Sequence, residues 1–475
     1  MVRVDTRTLK SVEVEPPRRQ VDSFLTDGRG NVRVQGVAEV TGTGQLTGRT
    51  KYQYRTRGNR EWRDLEPFQD GDFVPLAVDA DLDALYALRR KEGRYALVRT
   101  SLTTDPAESL VASHPKVDID NVVRSANGQK VVGYTLAEER RQTIYFDPAA
   151  KALVSSLHRA LPKLAHIELV DASDDGTKVL VYGGADNDPG RYLLFDRTAK
   201  KLGQLLPSRP ELEGRSLATV RSISYAARDG VSVPAYLTLP PGKESAKGLP
   251  AVVLPHGGPA SRDEWGFDWL PQYFAAQGYA VIQPNFRGSA GYGEGWQNEN
   301  GFRNWRTAIN DIVDAGRHLA KEGVADANRI AIVGWSYGGY AALQAAAVEP
   351  SMFKAVVAIA PVTDLPMLRG QFDEYTNAQA TRRWLGSGEF LEEGSPSRQA
   401  TRIQAPVLMF HGDMDLNVAV AQSQKMDGAL KGAGKRSELV VFKGLDHGLE
   451  DNDARALMLS KAGALLAETT GKAGG

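Results

Sequence analysis

Arg329-Ile-Ala-Ile-Val-Gly-Trp-Ser-Tyr-Gly-Gly-Tyr340 decides how the second half of this chain folds. Its apolar run from Ile330 to Val333 predicts a strand buried on both faces, and the small residues from Ala341 to Val348 predict a helix after it. Ser336 falls at the junction. Gly334 and Gly338 stand two places before and after it, where side chains would obstruct a sharp strand-to-helix turn. Such a turn lifts the serine oxygen to the carboxyl edge of a sheet and leaves the following N–H groups free to hold an oxyanion. The same pentapeptide would also suit a glycine-rich turn with a bystander serine, and residues elsewhere in the chain separate the two readings.

Working outward, buried strands are predicted at Ala251–Leu254, Ala280–Gln283, Ala355–Ile359, Val407–Phe410 and Glu438–Phe442, alternating with helices near 303–322, 337–348, 418–431 and 453–467. A hairpin about Arg228-Asp-Gly230 precedes them. This alternation indicates a mainly parallel sheet covered on both faces, with sites outside the carboxyl ends of its strands. Every candidate for chemistry falls at such an end. Leu254-Pro-His-Gly-Gly-Pro259 follows the first buried strand, His411-Gly-Asp-Met-Asp415 follows Val407–Phe410, and Asp446-His-Gly448 follows the last. The order Ser336, Asp415, His447 is that of an α/β-hydrolase triad.

Residues 1–210 read as an all-β, propeller-like domain and 216–475 as the α/β domain. In the first, Asn127-Gly128 and Asp175-Gly176 turns lead into paired strands that end at Phe146-Asp147 and Phe195-Asp196. A period of about 45–50 residues built from short strands suggests roughly four propeller blades. A sandwich with evenly spaced hairpins is the alternative.

Lysine plus arginine and aspartate plus glutamate number 58 each, so no global field favours nucleic acid. There is no cysteine, which excludes disulfides and thiolate chemistry. No apolar run is long enough to cross a bilayer, and the start lacks the apolar middle of a secretory signal. The expected location is cytoplasmic as written, or periplasmic or secreted if the natural amino terminus is missing. No metal or organic cofactor is implied.

Taken together, His256-Gly-Gly-Pro259, Asn285-Phe-Arg-Gly-Ser289 with Gly291-Tyr-Gly293, Gly334-Trp-Ser-Tyr-Gly-Gly339, His411-Gly-Asp-Met-Asp415 and Asp446-His-Gly448 resemble the prolyl oligopeptidase family of serine peptidases. The resemblance implies a β-propeller capping an α/β-hydrolase domain. Carried over residue by residue, it implies Ser336 as nucleophile, Asp415 as orienting acid and His447 as base, with oxyanion donors from the N–H groups of Tyr337 and Gly258. It also implies that Asn417 binds a substrate carbonyl and that Val362, Leu365, Leu368 and Val418 line the pocket before the scissile bond. Leucines at 365 and 368 stand where the dipeptidyl-peptidase branch has aromatic rings, and that branch's paired glutamates have no match. His-Gly-Gly-Pro is closer to the acylaminoacyl-peptidase branch.

The chemistry agrees with these residue types. A serine hydroxyl needs an adjacent base, and a neutral imidazole can take its proton and pass it to the leaving group. Asp413 competes with Asp415 by spacing alone, whereas His256 and His411 begin glycine turns and read as structural. The expected activity is hydrolysis of short peptides through an acyl-enzyme. An esterase using the same triad is the alternative, and a non-catalytic propeller that binds partners is a third reading. The expected partner is a peptide substrate, with no nucleic acid and no membrane. The resemblance implies about seven blades, so roughly four would either close a small ring or leave an open arc whose strand edges invite a homo-oligomer.

Overall fold

The computed structural model describes residues 1–69, 71–125, 127–297 and 301–471. Ala126 of the repeat and the last four residues of the expected second domain lie outside them. The chain divides into two compact units, one of Met1–Ala185, Pro189–Glu211 and Glu374–Thr381, the other of Asp186–Asp188, Leu212–Asp373 and Arg382–Gly475.

The first unit is a series of antiparallel meanders, as a propeller-like domain requires. Four-stranded sheets span Val21–Gln69, Phe73–Ala112 and His166–Pro207, and a three-stranded sheet spans Ile119–Tyr145. In that three-stranded sheet the chain departs from an all-β reading. The helix Pro148–Ala160 follows its last strand. Asp147 caps the helix by accepting the Ala150 N–H at 2.8 Å, and Pro148 supplies a φ suited to the first turn. Asp196, its counterpart in the next sheet, ends a strand and is followed by the strand Lys201–Pro207.

The second unit is built on eight strands: β1 (Val220–Ala226), β2 (Ser232–Thr238), β3 (Leu249–Val253), β4 (Ala280–Pro284), β5 (Ala325–Trp335), β6 (Val356–Ile359), β7 (Val407–Gly412) and β8 (Ser437–Phe442). Their order is β1-β2-β4-β3-β5-β6-β7-β8. The β1–β2 and β2–β4 pairs are antiparallel and the rest parallel.

Side chains alternate between two cores. Ile330 and Ile332 of β5, with Val356 and Ala358 of β6, pack into the core shared by α2 (Trp305–Lys321), α3 (Tyr337–Val348) and α5 (Ala421–Gly432). Ala331, Val333, Val357 and Ile359 face the opposite core, with α1 (Trp269–Ala276) and α6 (Asn452–Thr470). Burial on both faces explains why these strands read as continuous apolar runs. The pattern reading missed α1 and α4 (Leu365–Gln371), which are too short for a clear helical period. No described helix is long and apolar enough to cross a membrane.

Candidate active site

Ser336 occupies the turn between β5 and α3. Its backbone lies at φ 59°, ψ −120°, a region that costs a non-glycine residue about 1–3 kcal/mol and persists only where the surroundings enforce it. The surroundings do so here. Ser336 N–H donates to Ile359 O of β6 at 2.8 Å, and Tyr340 N–H donates to Ser336 O at 3.0 Å. A side chain at Gly334 would collide with the Gly338 carbonyl, and one at Gly338 with Pro255 O, so the turn closes only with glycine at both places. Ser336 is the N-cap of α3 but makes no side-chain capping bond, which leaves its hydroxyl uncommitted to the helix end.

The loop after β3 lies against this turn. A side chain on Gly257 would sit 3.4 Å from Trp335 O and 3.5 Å from Ser336 Cβ. Gly258 has φ 114°, and a side chain there would reach 2.8 Å from Ala260 N and 2.9 Å from Ser261 N, so the loop requires glycine. His256 supports the loop rather than facing the nucleophile. Its ring stacks on Phe286 at 4.4 Å, its Nδ1 lies 2.7 Å from Gly257 O, and its Nε2 lies 2.7 Å from Ser289 Oγ. Burial holds its imidazole down to about 4, despite the opposing bond to Gly257 O.

The loop after β7 supplies the acid. Asp415 Oδ2 accepts from His447 Nδ1 at 2.6 Å, and Oδ1 accepts the N–H groups of Asn417 and Val418 at 2.9 Å each. Burial of the carboxyl opposes its charge, but the hydrogen bonds from His411, His447 and Val418 outweigh this and hold its pKa well below the usual carboxylate range. Asp413, the competitor by spacing, is turned away and accepts the Gly444 N–H at 2.6 Å. The structure therefore joins Asp415, not Asp413, to His447.

Two contacts were not foreseen. Trp335 Nε1–H donates to His447 O at 3.1 Å, so the residue before Ser336 holds the backbone of the histidine loop against the serine turn. His411, read from sequence as structural, lies with Nε2 3.2 Å from Asp415 Oδ2. Its place four residues before Asp415 was visible in the sequence, but nothing there told that a strand end would turn the ring back onto the loop.

The residues expected at the pocket are placed as follows. Val362, Leu365, Leu368 and Val418 are each at most 5% exposed and belong to one apolar cluster with Tyr337 and Tyr340. The structure thus brings them together as a packed wall beside the serine turn. Asn417 is exposed in the Asp415 loop.

A mainly parallel sheet with a strained serine turn at one strand end and a histidine–carboxylate pair at two others defines the α/β-hydrolase class. Residues 265–473 match the Prolyl oligopeptidase family. Over these residues, which make up most of the second unit, the chain is similar to that family. It is 29% identical over 422 residues to dipeptidyl aminopeptidase BIII of Pseudoxanthomonas mexicana, covering 84% of this chain and 61% of that one. With the acylamino-acid-releasing enzyme 1 of Oryza sativa subsp. japonica it shares 27% identity, over 49% of this chain and 31% of that protein. A puromycin-hydrolyzing peptidase from Mycobacterium tuberculosis has a similar fold, with a TM-score of 0.75 at 21% identity over 97% of this chain and 71% of that one. The acylaminoacyl peptidase of Pyrococcus horikoshii gives 0.73 at 18%, over 99% and 74%. The chain spans about three-fifths of the bacterial dipeptidyl aminopeptidase and under a third of the rice enzyme.

Proposed function

We propose that the chain is a serine peptidase that hydrolyses short peptides through an acyl-enzyme. The observation that carries this is the 2.6 Å contact between Asp415 and His447, on a loop tied to the Ser336 turn by the Trp335 indole. An ionised Asp415 that accepts from Nδ1 fixes the tautomer of His447 whose Nε2 has a free lone pair. That nitrogen takes the Ser336 proton as Oγ attacks the carbonyl, and returns it to the leaving amine when the tetrahedral intermediate collapses. The N–H groups of Tyr337 and Gly258 stabilise the oxyanion. Tyr337 opens α3, where the N–H groups of the first turn have no partner within the helix. Water then repeats the attack on the ester and releases the acid.

Val362, Leu365, Leu368 and Val418 form the wall of the pocket for the residue before the cleaved bond, and Asn417 holds a substrate carbonyl. Dipeptidyl and acylaminoacyl peptidases among the relatives support a peptide over a simple ester as substrate. The test is labelling by a fluorophosphonate, followed by a screen of peptide and ester substrates. Ser336→Ala is expected to lose labelling and to lower turnover by about 10⁴- to 10⁶-fold with the fold retained. A mutant keeping more than a tenth of the wild-type rate would end this reading.

A further inference from the structure

We infer that His411 is a positioning residue for catalysis, a second imidazole that orients the Asp415 carboxylate and shares its charge with the catalytic base. The inference rests on the triad reading above. His411 belongs to β7, and its side chain is completely buried. Its Nε2 lies 2.8 Å from Val418 O and 3.2 Å from Asp415 Oδ2. A carbonyl and a carboxylate only accept, so Nε2 carries the proton. Nδ1 then accepts from Ser423 Oγ of α5, 2.7 Å away. The ring thus has a partner for both nitrogens, and its orientation is held from α5 on one side and from the Val418 loop on the other.

The consequence falls on one oxygen. Oδ1 of Asp415 is occupied by the Asn417 and Val418 N–H groups, so His447 donates to Oδ2 and the Nε2–H of His411, bonded to Val418 O, lies 3.2 Å from that same oxygen. Among the described residues, the titratable groups that face the carboxylate are these two histidines. Asp413 and Asp446, in the adjoining loops, are engaged by the N–H groups of Gly444 and Gly448. Each N–H dipole close to Oδ2 stabilises its charge and so weakens its attraction for the other ring's proton. With His411 in place, Asp415 still fixes the tautomer of His447 but stabilises its imidazolium less. Without it, Oδ2 pulls harder on His447, the imidazolium persists to higher pH, and the carboxylate loses one of the bonds that set its plane.

The experiment measures kcat/KM against pH for a short-chain p-nitrophenyl ester, together with the rate of fluorophosphonate labelling. It compares wild type, His411→Gln, His411→Asn, His411→Phe and Ser423→Ala. Glutamine can still present an N–H near the Nε2 position, whereas asparagine is too short and phenylalanine has no donor. In the Asn and Phe variants the acidic limb is expected to move up by about half a pH unit or more. Their plateau kcat/KM should fall about tenfold, with KM within about threefold of wild type. His411→Gln should keep the limb in place and the plateau within about threefold. Ser423→Ala frees the ring from its far side and should move the limb in the same direction by less.

A limb that stays in place in the variants that fold, or one that moves as far in His411→Gln as in His411→Asn, overturns the proposal. A purely structural histidine would lower the yield of labelled protein without moving the limb. Failure of the triad itself has a separate signature, since Ser336→Ala would then still label and turn over whatever the His411 variants do.

Discussion

Asp413 and Asp415 are two residues apart in one loop, yet their carboxyls have opposite tasks. Asp413 closes a turn onto Gly444 N–H, and Asp415 reaches His447. An amide at 415 would favour the wrong imidazole tautomer, so Asp415→Asn should lower kcat about 10³- to 10⁴-fold. Asp413→Asn keeps an oxygen for Gly444 and should cost less than about threefold. Steady-state rates of the two variants check this, and a reversed ranking would move the acid to Asp413. The Trp335 indole makes a finer contribution. Trp335→Phe keeps a ring but removes the N–H from His447 O, a loss of about 0.5–1.5 kcal/mol, or roughly two- to tenfold in rate if it is expressed in the transition state. Turnover that does not change, with melting also unchanged, would show that the loop is held without it.

At the scale of elements, α4 matters more than its length suggests, because it carries Leu365 and Leu368 and is tied down at both ends. At its start Asp364 accepts from Met367 N–H at 2.9 Å, Arg398 Nε at 3.1 Å and Lys425 Nζ at 2.5 Å. The buried Gln422 of α5 receives the N–H groups of Thr363 and Asp364 on its Oε1, at 2.9 and 2.8 Å, and donates to Asp364 O at 3.1 Å. At its end Gln371 accepts Ala419 N–H at 3.1 Å and donates to Leu416 O at 3.1 Å, so the same helix grips the Asp415 loop. Gln422→Leu would leave two buried N–H groups without a partner. It is expected to destabilise the protein by about 2–4 kcal/mol, which urea unfolding followed by fluorescence will measure. A loss under about 0.5 kcal/mol would mean that the α4 start relaxes onto other acceptors.

Across the whole molecule, two groups near the serine turn set opposing pH dependences of stability. Burial, helped by the nearby Asp268, pushes the Asp263 carboxyl up to about 8. The unfolded chain releases this proton near pH 3.9 while the folded chain keeps it, so stability from this group is present at low pH and is lost as pH rises from about 4 to about 8. His256 works the other way. The unfolded chain takes up a proton near pH 6.5 and the folded chain resists it until about 4, so stability is lost as pH falls through that window. Asp263→Asn removes the first dependence. Its stability relative to wild type should therefore improve steadily between pH 5 and 8, by at most about 1.4 kcal/mol per unit. Denaturant titrations at several pH values test this, and a constant difference would contradict it.

What the sequence determined by itself was the material that repeats or lies close along the chain. Apolar runs marked the strands β3 to β7 because both faces of each are buried, whereas β8 closes the sheet edge and is only partly covered, and the glycines around Ser336 and Gly258 marked turns that no side chain permits. The order of serine, aspartate and histidine came from the same local signals. Tertiary structure decided everything that depends on where a side chain points once strands are paired. Spacing could not tell Asp413 from Asp415, because one carboxyl turns to Gly444 and the other to His447 across the sheet edge. Nor could it reveal His411 on the carboxylate or Trp335 on the histidine loop, contacts that join residues 4 and 112 positions apart. The segment Glu374–Thr381, which belongs with the first unit although the second surrounds it in sequence, is of the same kind. Local patterns record burial and backbone strain, which are properties of single elements. Hydrogen bonds between loops appear only when the parallel sheet brings the carboxyl ends of its strands together.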